Sequence, residues 1–166
     1  MTGNPADRAG AILEVDLAGI AANWRLLARR VDPAGCAAVV KADAYGLGAP
    51  LVAPALAAAG CRRFFVATID EGIALRKVLP ESAEIAVFNG LLPGCVDVFF
   101  EFRLVPVLND PGQIADWRSA AVRHGKGPAI LHVDTGMARL GLTVQEFDRL
   151  ADELCRPDPI RWRALL

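Results

Sequence analysis

Cys36-Ala37-Ala38-Val39-Val40-Lys41-Ala42-Asp43-Ala44-Tyr45-Gly46-Leu47-Gly48-Ala49 is where the texture of this chain changes most sharply. From Cys36 to Val40 the run is apolar at both parities, the mark of a strand buried on both faces, as in a parallel sheet covered by helices. A charged amine, Lys41, ends the run. Two glycines then turn the chain, and from Ala49 the pattern becomes helical. Strand, charged rim residue, glycine turn and helix make one βα unit.

The same order recurs on either side. Upstream, Asp16 is a plausible N-cap for a helix with Ile20, Trp24, Leu27 and Val31 at helical spacing, ended by Pro33. Downstream the pattern predicts helices over 49–59, 70–78, 94–101, 111–124 and 143–154, alternating with strands over 64–67, 84–88, 104–107 and 129–133. The final residues, Ile160 to Leu166, read as another strand, inside which the sequence stops without a turn or capping signal. The fold expected is α/β, a partial (β/α)8 TIM-type barrel of about six strands, truncated at the C-terminus. A self-contained flavodoxin-like or Rossmann sheet is the alternative that suits the length. No G-x-G-x-x-G follows the first strand, which weakens its dinucleotide-binding version.

Of the 166 residues 54% are hydrophobic, enough for one sizeable core, and 18 basic residues face 19 acidic ones. No Lys/Arg run marks a nucleic-acid or anionic-membrane surface, so the expected partner is a small molecule. The polar N-terminus lacks a signal-peptide core and no stretch is long and apolar enough to span a membrane, giving the expectation of a soluble, cytoplasmic protein. Residues 1–10 are expected to be a flexible tail and 11–166 a single structural unit. Cys36, Cys61, Cys95 and Cys155 have no C-x-x-C spacing and read as small core residues; no metal site is expected.

Two places carry chemistry. Lys41 shares its parity with Ala37 and Val39, so if those line a barrel, the amine emerges at the C-terminal rim, where barrel active sites lie. A partly desolvated amine there presents the lone pair that attacks an aldehyde. Position alone also fits a strand-end lysine snorkelling to water. The second place is Leu131-His132-Val133-Asp134-Thr135-Gly136-Met137-Ala138-Arg139-Leu140-Gly141-Leu142, again at a strand's C-terminal end and so on the same rim. Arg139 offers a planar fork for a carboxylate or phenolate, or a surface salt bridge. Asp134 either orients this loop or serves as a simple Asx-turn or N-cap. His132 is either a support for Arg139 or a satisfied core histidine. Gly46 and Gly48 are too short a pattern for a phosphate loop and more simply shape the turn.

Val39-Val40-Lys41-Ala42-Asp43-Ala44-Tyr45-Gly46-Leu47-Gly48 resembles the lysine signature of the alanine racemases, in which Asn often stands at the place of Asp43 and His at that of Leu47. Asp134-Thr135-Gly136-Met137-Ala138-Arg139-Leu140-Gly141 is similar to that family's arginine motif. The resemblance extends to residues 13–28, as an opening strand and first helix, to Phe65-Val66-Ala67-Thr68-Ile69-Asp70-Glu71-Gly72 and to Asn89-Gly90. It implies that Lys41 holds pyridoxal 5'-phosphate (PLP) as a Schiff base and moves the substrate α-proton on one face. It also implies that Tyr45 lies beside the cofactor and that Arg139 binds near its phenolic oxygen and the substrate carboxylate. His132 stands where many members have a lysine, carbamylated in some, and cannot form that carbamate.

The activity implied is isomerisation of L- and D-alanine, supplying D-alanine for peptidoglycan, by a homodimer whose β-rich C-terminal domain lies outside these residues. The opposite-face base would be a tyrosine of the partner's C-terminal domain, whereas the one tyrosine here, Tyr45, falls on the cofactor side. The 166-residue chain alone is therefore expected to be inactive or nearly so. A noncatalytic PLP-binding barrel module and an inactive racemase fragment are the alternative readings.

Overall fold

A computed structural model describes residues 8–125, 127–154 and 156–166; Cys155 and most of the expected tail, 1–7, lie outside them. The chain begins with helix α1 (Leu17–Val31), then alternates: β1 (Ala38–Val39), α2 (Lys41–Tyr45), α3 (Ala49–Ala59), β2 (Arg63–Val66), α4 (Ile69–Arg76), β3 (Glu84–Val87). It continues with α5 (Val96–Glu101), β4 (Leu104–Leu108), α6 (Pro111–His124), β5 (Gly127–Leu131), α7 (Val144–Leu154) and β6 (Ile160–Leu165). All neighbouring strands pair in parallel, in the order β1-β2-β3-β4-β5-β6. A doubly wound sheet reverses its strand order at a switch point. This one never does, so the flavodoxin-like and Rossmann alternatives fall and the barrel-type progression stands, as an open sheet.

Period-two alternation sorts the strand side chains into two layers. Phe64, Val66, Ile85, Val87, Leu104, Leu108, Ala129 and Leu131 belong to the larger cluster, which takes in the helices. Helix α6 feeds it with Ile114 and Trp117, and Ala120 and Ala121 are buried along the same stripe. On the other face, Phe65, Ala86, Val105, Val107 and Ile130 form a smaller cluster joined by Ala37, Phe88 and Ala164. This second layer is the wall that leads to the site.

Local signals place most boundaries. Asp16 caps α1, accepting from the Gly19 amide at 2.9 Å, and Thr68 with Glu71 forms a capping box on α4. At the end of the sheet where the strands begin, Arg76 donates to four backbone carbonyls, those of Phe102, Pro80, Ala83 and Arg103, at 2.9–3.1 Å. One guanidinium thus ties the α4–β3 loop to the α5–β4 loop.

Several expectations need correction. Residues 13–16 form no strand, and Ile12 and Leu13 are exposed, with no strand partner among the described residues. The strand expected over 36–41 shortens to two residues, because the chain leaves extended conformation at Val40 and coils at Lys41. Helix α1 begins as expected, but Leu27 and Val31 stay exposed: α1 packs on α3 rather than on the sheet, so a narrower stripe suffices. Cys61 is buried, whereas Cys36 and Cys95 are only half-buried.

Candidate active site

The residues after Lys41 form one turn wound in the left-handed sense. Ala42, Asp43, Ala44 and Tyr45 all have φ between 50° and 56°. For residues with a Cβ this conformation costs about 1–2 kcal/mol each, so the turn persists only because its surroundings fix it. The Gly46 amide bonds Ala42 O at 2.9 Å, the Gly48 amide bonds Asp43 O at 2.9 Å, and Asp43 Oδ1 accepts from the Ala49 amide at 2.7 Å at the start of α3. Gly46 and Gly48 therefore serve the turn. At its entrance Lys41 is half-buried, and its Nζ lies 5.8 Å from the centroid of the Phe88 ring.

Register explains why Lys41 and Phe88 meet. Val39 pairs with Phe65, and Phe65 with Ala86. Two residues farther along each strand, at the same parity, are Lys41, Ala67 and Phe88. All three line one cleft, and Phe88 stacks on Phe65 beneath it with centroids 4.9 Å apart. The same step from Ile130 on β5 reaches His132, and from Ala164 on β6 it reaches Leu166, which also line the cleft.

The loop after β5 folds back over this rim. Leu142 N donates to His132 O and Asp134 N to Leu142 O, both at 2.8 Å, closing residues 134–141 into a loop. Asp134 Oδ1 accepts from the Gly136 and Ala138 amides at 2.9 and 3.0 Å, which holds its carboxyl below the usual carboxylate range. Gly141, at φ +103°, lies against the backbone of Val133 and Asp134, where a Cβ would come within 2.8 Å of Asp134 N. The closed loop delivers Met137, Arg139 and Leu140 to the cleft.

His132 has a fixed partner. Its Nδ1 is 2.8 Å from Oδ1 of Asn109, a buried residue whose Nδ2 donates to the Phe88 and Val107 carbonyls at 2.9 Å each. With both amide hydrogens spent, Oδ1 must accept, so Nδ1 carries the proton and neutral His132 keeps its Nε2 lone pair. Burial pushes the His132 imidazole below its ordinary value; Asp134 opposes this and Arg139 adds to it.

Lys41, His132 and Arg139 thus share a cleft of about 610 Å³. Tyr45 and Asp134 do not line it: Tyr45 is 64% exposed on the left-handed turn, and Asp134 is engaged within its own loop. Phe88 and Asn109 were not singled out in the sequence, and Asn89 entered only through the resemblance. Parity from Ala86 would have found Phe88, while Asn109 shows no local signal beyond a polar residue ending an apolar strand.

A family model described as the N-terminal domain of alanine racemase matches residues 15–166. The alanine racemase of Rhodospirillum rubrum is 54% identical over 156 residues, covering 93% of this chain and 41% of that protein. That of Brucella ovis is 50% identical over 147 residues, covering 88% of this chain and 37% of that protein. Among solved structures, the alanine racemase of Bartonella henselae with covalently bound pyridoxal phosphate superposes with a TM-score of 0.80 at 45% identity, covering 84% of this chain and 39% of that one. The Streptomyces coelicolor alanine racemase gives 0.79 at 32% identity, covering 91% and 42%. The chain spans about two fifths of the length of these relatives. Over residues 15–166 it belongs to the alanine racemase N-terminal domain family.

Proposed function

We propose that residues 11–166 are the lysine-bearing part of a PLP-dependent alanine racemase barrel, which interconverts L- and D-alanine. The observation that carries this reading is the convergence of Lys41, His132 and Arg139 on one cleft at the C-terminal ends of the strands. Strand β1 delivers the first, and β5 with its closing loop delivers the other two.

The residues present fit a planar, phosphate-bearing aldehyde. The cleft, about 610 Å³, is of the size that small-molecule sites occupy, and among the described residues no carboxylate lines it. Two basic side chains and a histidine thus face an anionic guest without competition. PLP, when bound, supplies an electron sink for the pair left as the substrate Cα–H bond breaks. Lys41 would hold the cofactor, and its amine is the group that would accept and return the α-proton on its own face. Arg139 presents paired N–H donors to a carboxylate or phenolate oxygen. Neutral His132, fixed by Asn109, adds no competing positive charge and presents an acceptor at Nε2. The resemblance assigns Tyr45 to the cofactor's edge although it lies outside the cleft lining, and Asp134 serves the shape of the loop.

Inversion needs a second proton carrier on the opposite face. His124 does not serve: it stacks on Phe100 at 4.3 Å and its Nε2 lies 3.0 Å from Asp97, at the far end of α6. We assign that carrier to a tyrosine of a partner subunit in a cytoplasmic homodimer that supplies D-alanine to the cell wall. The test of the site is reductive trapping: borohydride added with PLP, followed by peptide mapping, should leave phosphopyridoxyl label on Lys41. Label on Lys77 or Lys126 with Lys41 untouched would refute the assignment.

A further inference from the structure

We infer that Glu71 is a positioning residue for Lys41, its ionised carboxylate replacing the missing backbone rung between β1 and β2 at the level of the cleft. The inference rests on the reading of Lys41 as the cofactor lysine.

The backbone ladder between these strands ends early. Val40 N donates to Phe65 O at 2.9 Å, and the next rung would run from Ala42 N to Ala67 O. It does not form, because the left-handed turn has already begun at Ala42. Ala42 N donates instead to Glu71 Oε1 at 2.8 Å, across 29 residues of sequence. The other oxygen, Oε2, accepts from Ala67 N at 2.7 Å and Thr68 N at 3.3 Å. One side chain thus links the peptide following Lys41 to Ala67, which stands beside Lys41 in the cleft wall.

The chemistry of the bridge is specific. Both oxygens accept from N–H donors, so an ionised carboxylate satisfies the site, while an amide turns its own N–H groups against at least one donor. The four residues that follow Lys41 sit in a costly conformation, and the contacts just described anchor them from α3, through Asp43, and from α4, through Glu71. Removing the α4 anchor frees the peptide that aims the lysine side chain. Capping alone would also explain a glutamate at the third position of α4, but capping does not require the bond to Ala42.

The experiment compares the protein with Glu71→Gln, Glu71→Asp and Thr68→Ala. Glu71→Asp keeps the charge but is one methylene short of spanning Ala42 and Ala67. Thr68→Ala removes the hydroxyl that accepts from Glu71 N and leaves the bridge intact. Amide hydrogen exchange at Ala42, without cofactor, and the rate of PLP–borohydride labelling of Lys41 are measured for each. Both Glu71 variants should speed Ala42 exchange by about tenfold or more, the loss of one charge-assisted hydrogen bond, and slow Lys41 labelling. Thr68→Ala should do neither while lowering the melting temperature. Unchanged Ala42 exchange, unchanged Lys41 labelling, or losses in Thr68→Ala equal to those in the Glu71 variants would each overturn the inference. Label on another lysine in the unsubstituted protein would overturn the Lys41 assignment itself, a result separable from the exchange data.

Discussion

Gly141→Ala should open the loop that carries Arg139, and the structure says by how much relative to a control. Gly141 and Gly136 both have positive φ, +103° and +125°, so alanine at either costs about 1–3 kcal/mol of backbone strain. At Gly136 the new Cβ meets nothing within 4 Å. At Gly141 it stands 2.8 Å from Asp134 N and 3.0 Å from Val133 C, backbone atoms that can move only if the bonds between Leu142 and His132 and between Asp134 and Leu142 stretch. That overpacking adds about 1–3 kcal/mol, which the Gly136 variant escapes. The difference is roughly a 5- to 150-fold larger opening equilibrium for the Gly141 variant. Amide exchange at Asp134 and Leu142 reads it directly, and exchange in β3 serves as an internal reference. Equal protection in the two variants would refute the argument that backbone contact at Gly141 closes this loop.

In a complete enzyme containing this segment, Arg139→Ala should lower kcat/KM for alanine by about 10- to 150-fold, the worth of a charged hydrogen-bonding contact of ~1.5–3 kcal/mol, with PLP retention less affected; Arg139→Lys should recover only part, and unchanged kinetics would contradict the role. For His132, burial lowers the folded-state proton affinity below the ordinary 6.5, so the unfolded chain binds the proton first. Its contribution to stability should be complete above pH 6.5 and decline as pH falls from there through the folded value; denaturant titrations should show a shallower slope in this window for His132→Gln, and equal slopes would refute it. Arg76→Lys should destabilise the protein by about 2–3 kcal/mol, because an ammonium cannot reach four carbonyls spread over two loops. Chemical denaturation measures this, and a loss below ~0.5 kcal/mol would show those contacts to be replaceable by water.

Much of this architecture was legible in sequence because parallel strands and amphipathic helices announce themselves through period and caps. Asp16, Thr68 and Asp110 each accept a backbone amide at the start of a helix, as their residue types lead one to expect. The left-handed turn was not legible. Lys-Ala-Asp-Ala-Tyr contains good helix formers, and nothing local says that Ala42 to Tyr45 will coil against their chirality; contacts from α3 and α4 decide it. In the site, parity placed Lys41 on the inner face. The partner of His132 depended on Asn109, 23 residues away just past the end of the neighbouring strand, a pairing fixed by sheet register and not by spacing. The exposure of Ile12 and Leu13 went unforeseen for a related reason: an apolar pair reads as strand whether or not an edge lies within reach.

The strictly sequential order of the sheet bears on how such a chain is made. Each strand lies beside the one before it, and paired positions sit close in sequence, as with Arg63 and Glu84, twenty-one residues apart. Among the described strands, every new βα unit therefore finds a finished edge waiting when it leaves the ribosome. At about 5–20 residues per second a unit arrives every few seconds, far slower than helix and loop closure. Assembly can thus keep pace with translation, by accretion, and Arg76, which reaches carbonyls through Arg103, can lock its corner only after β4 has begun to emerge.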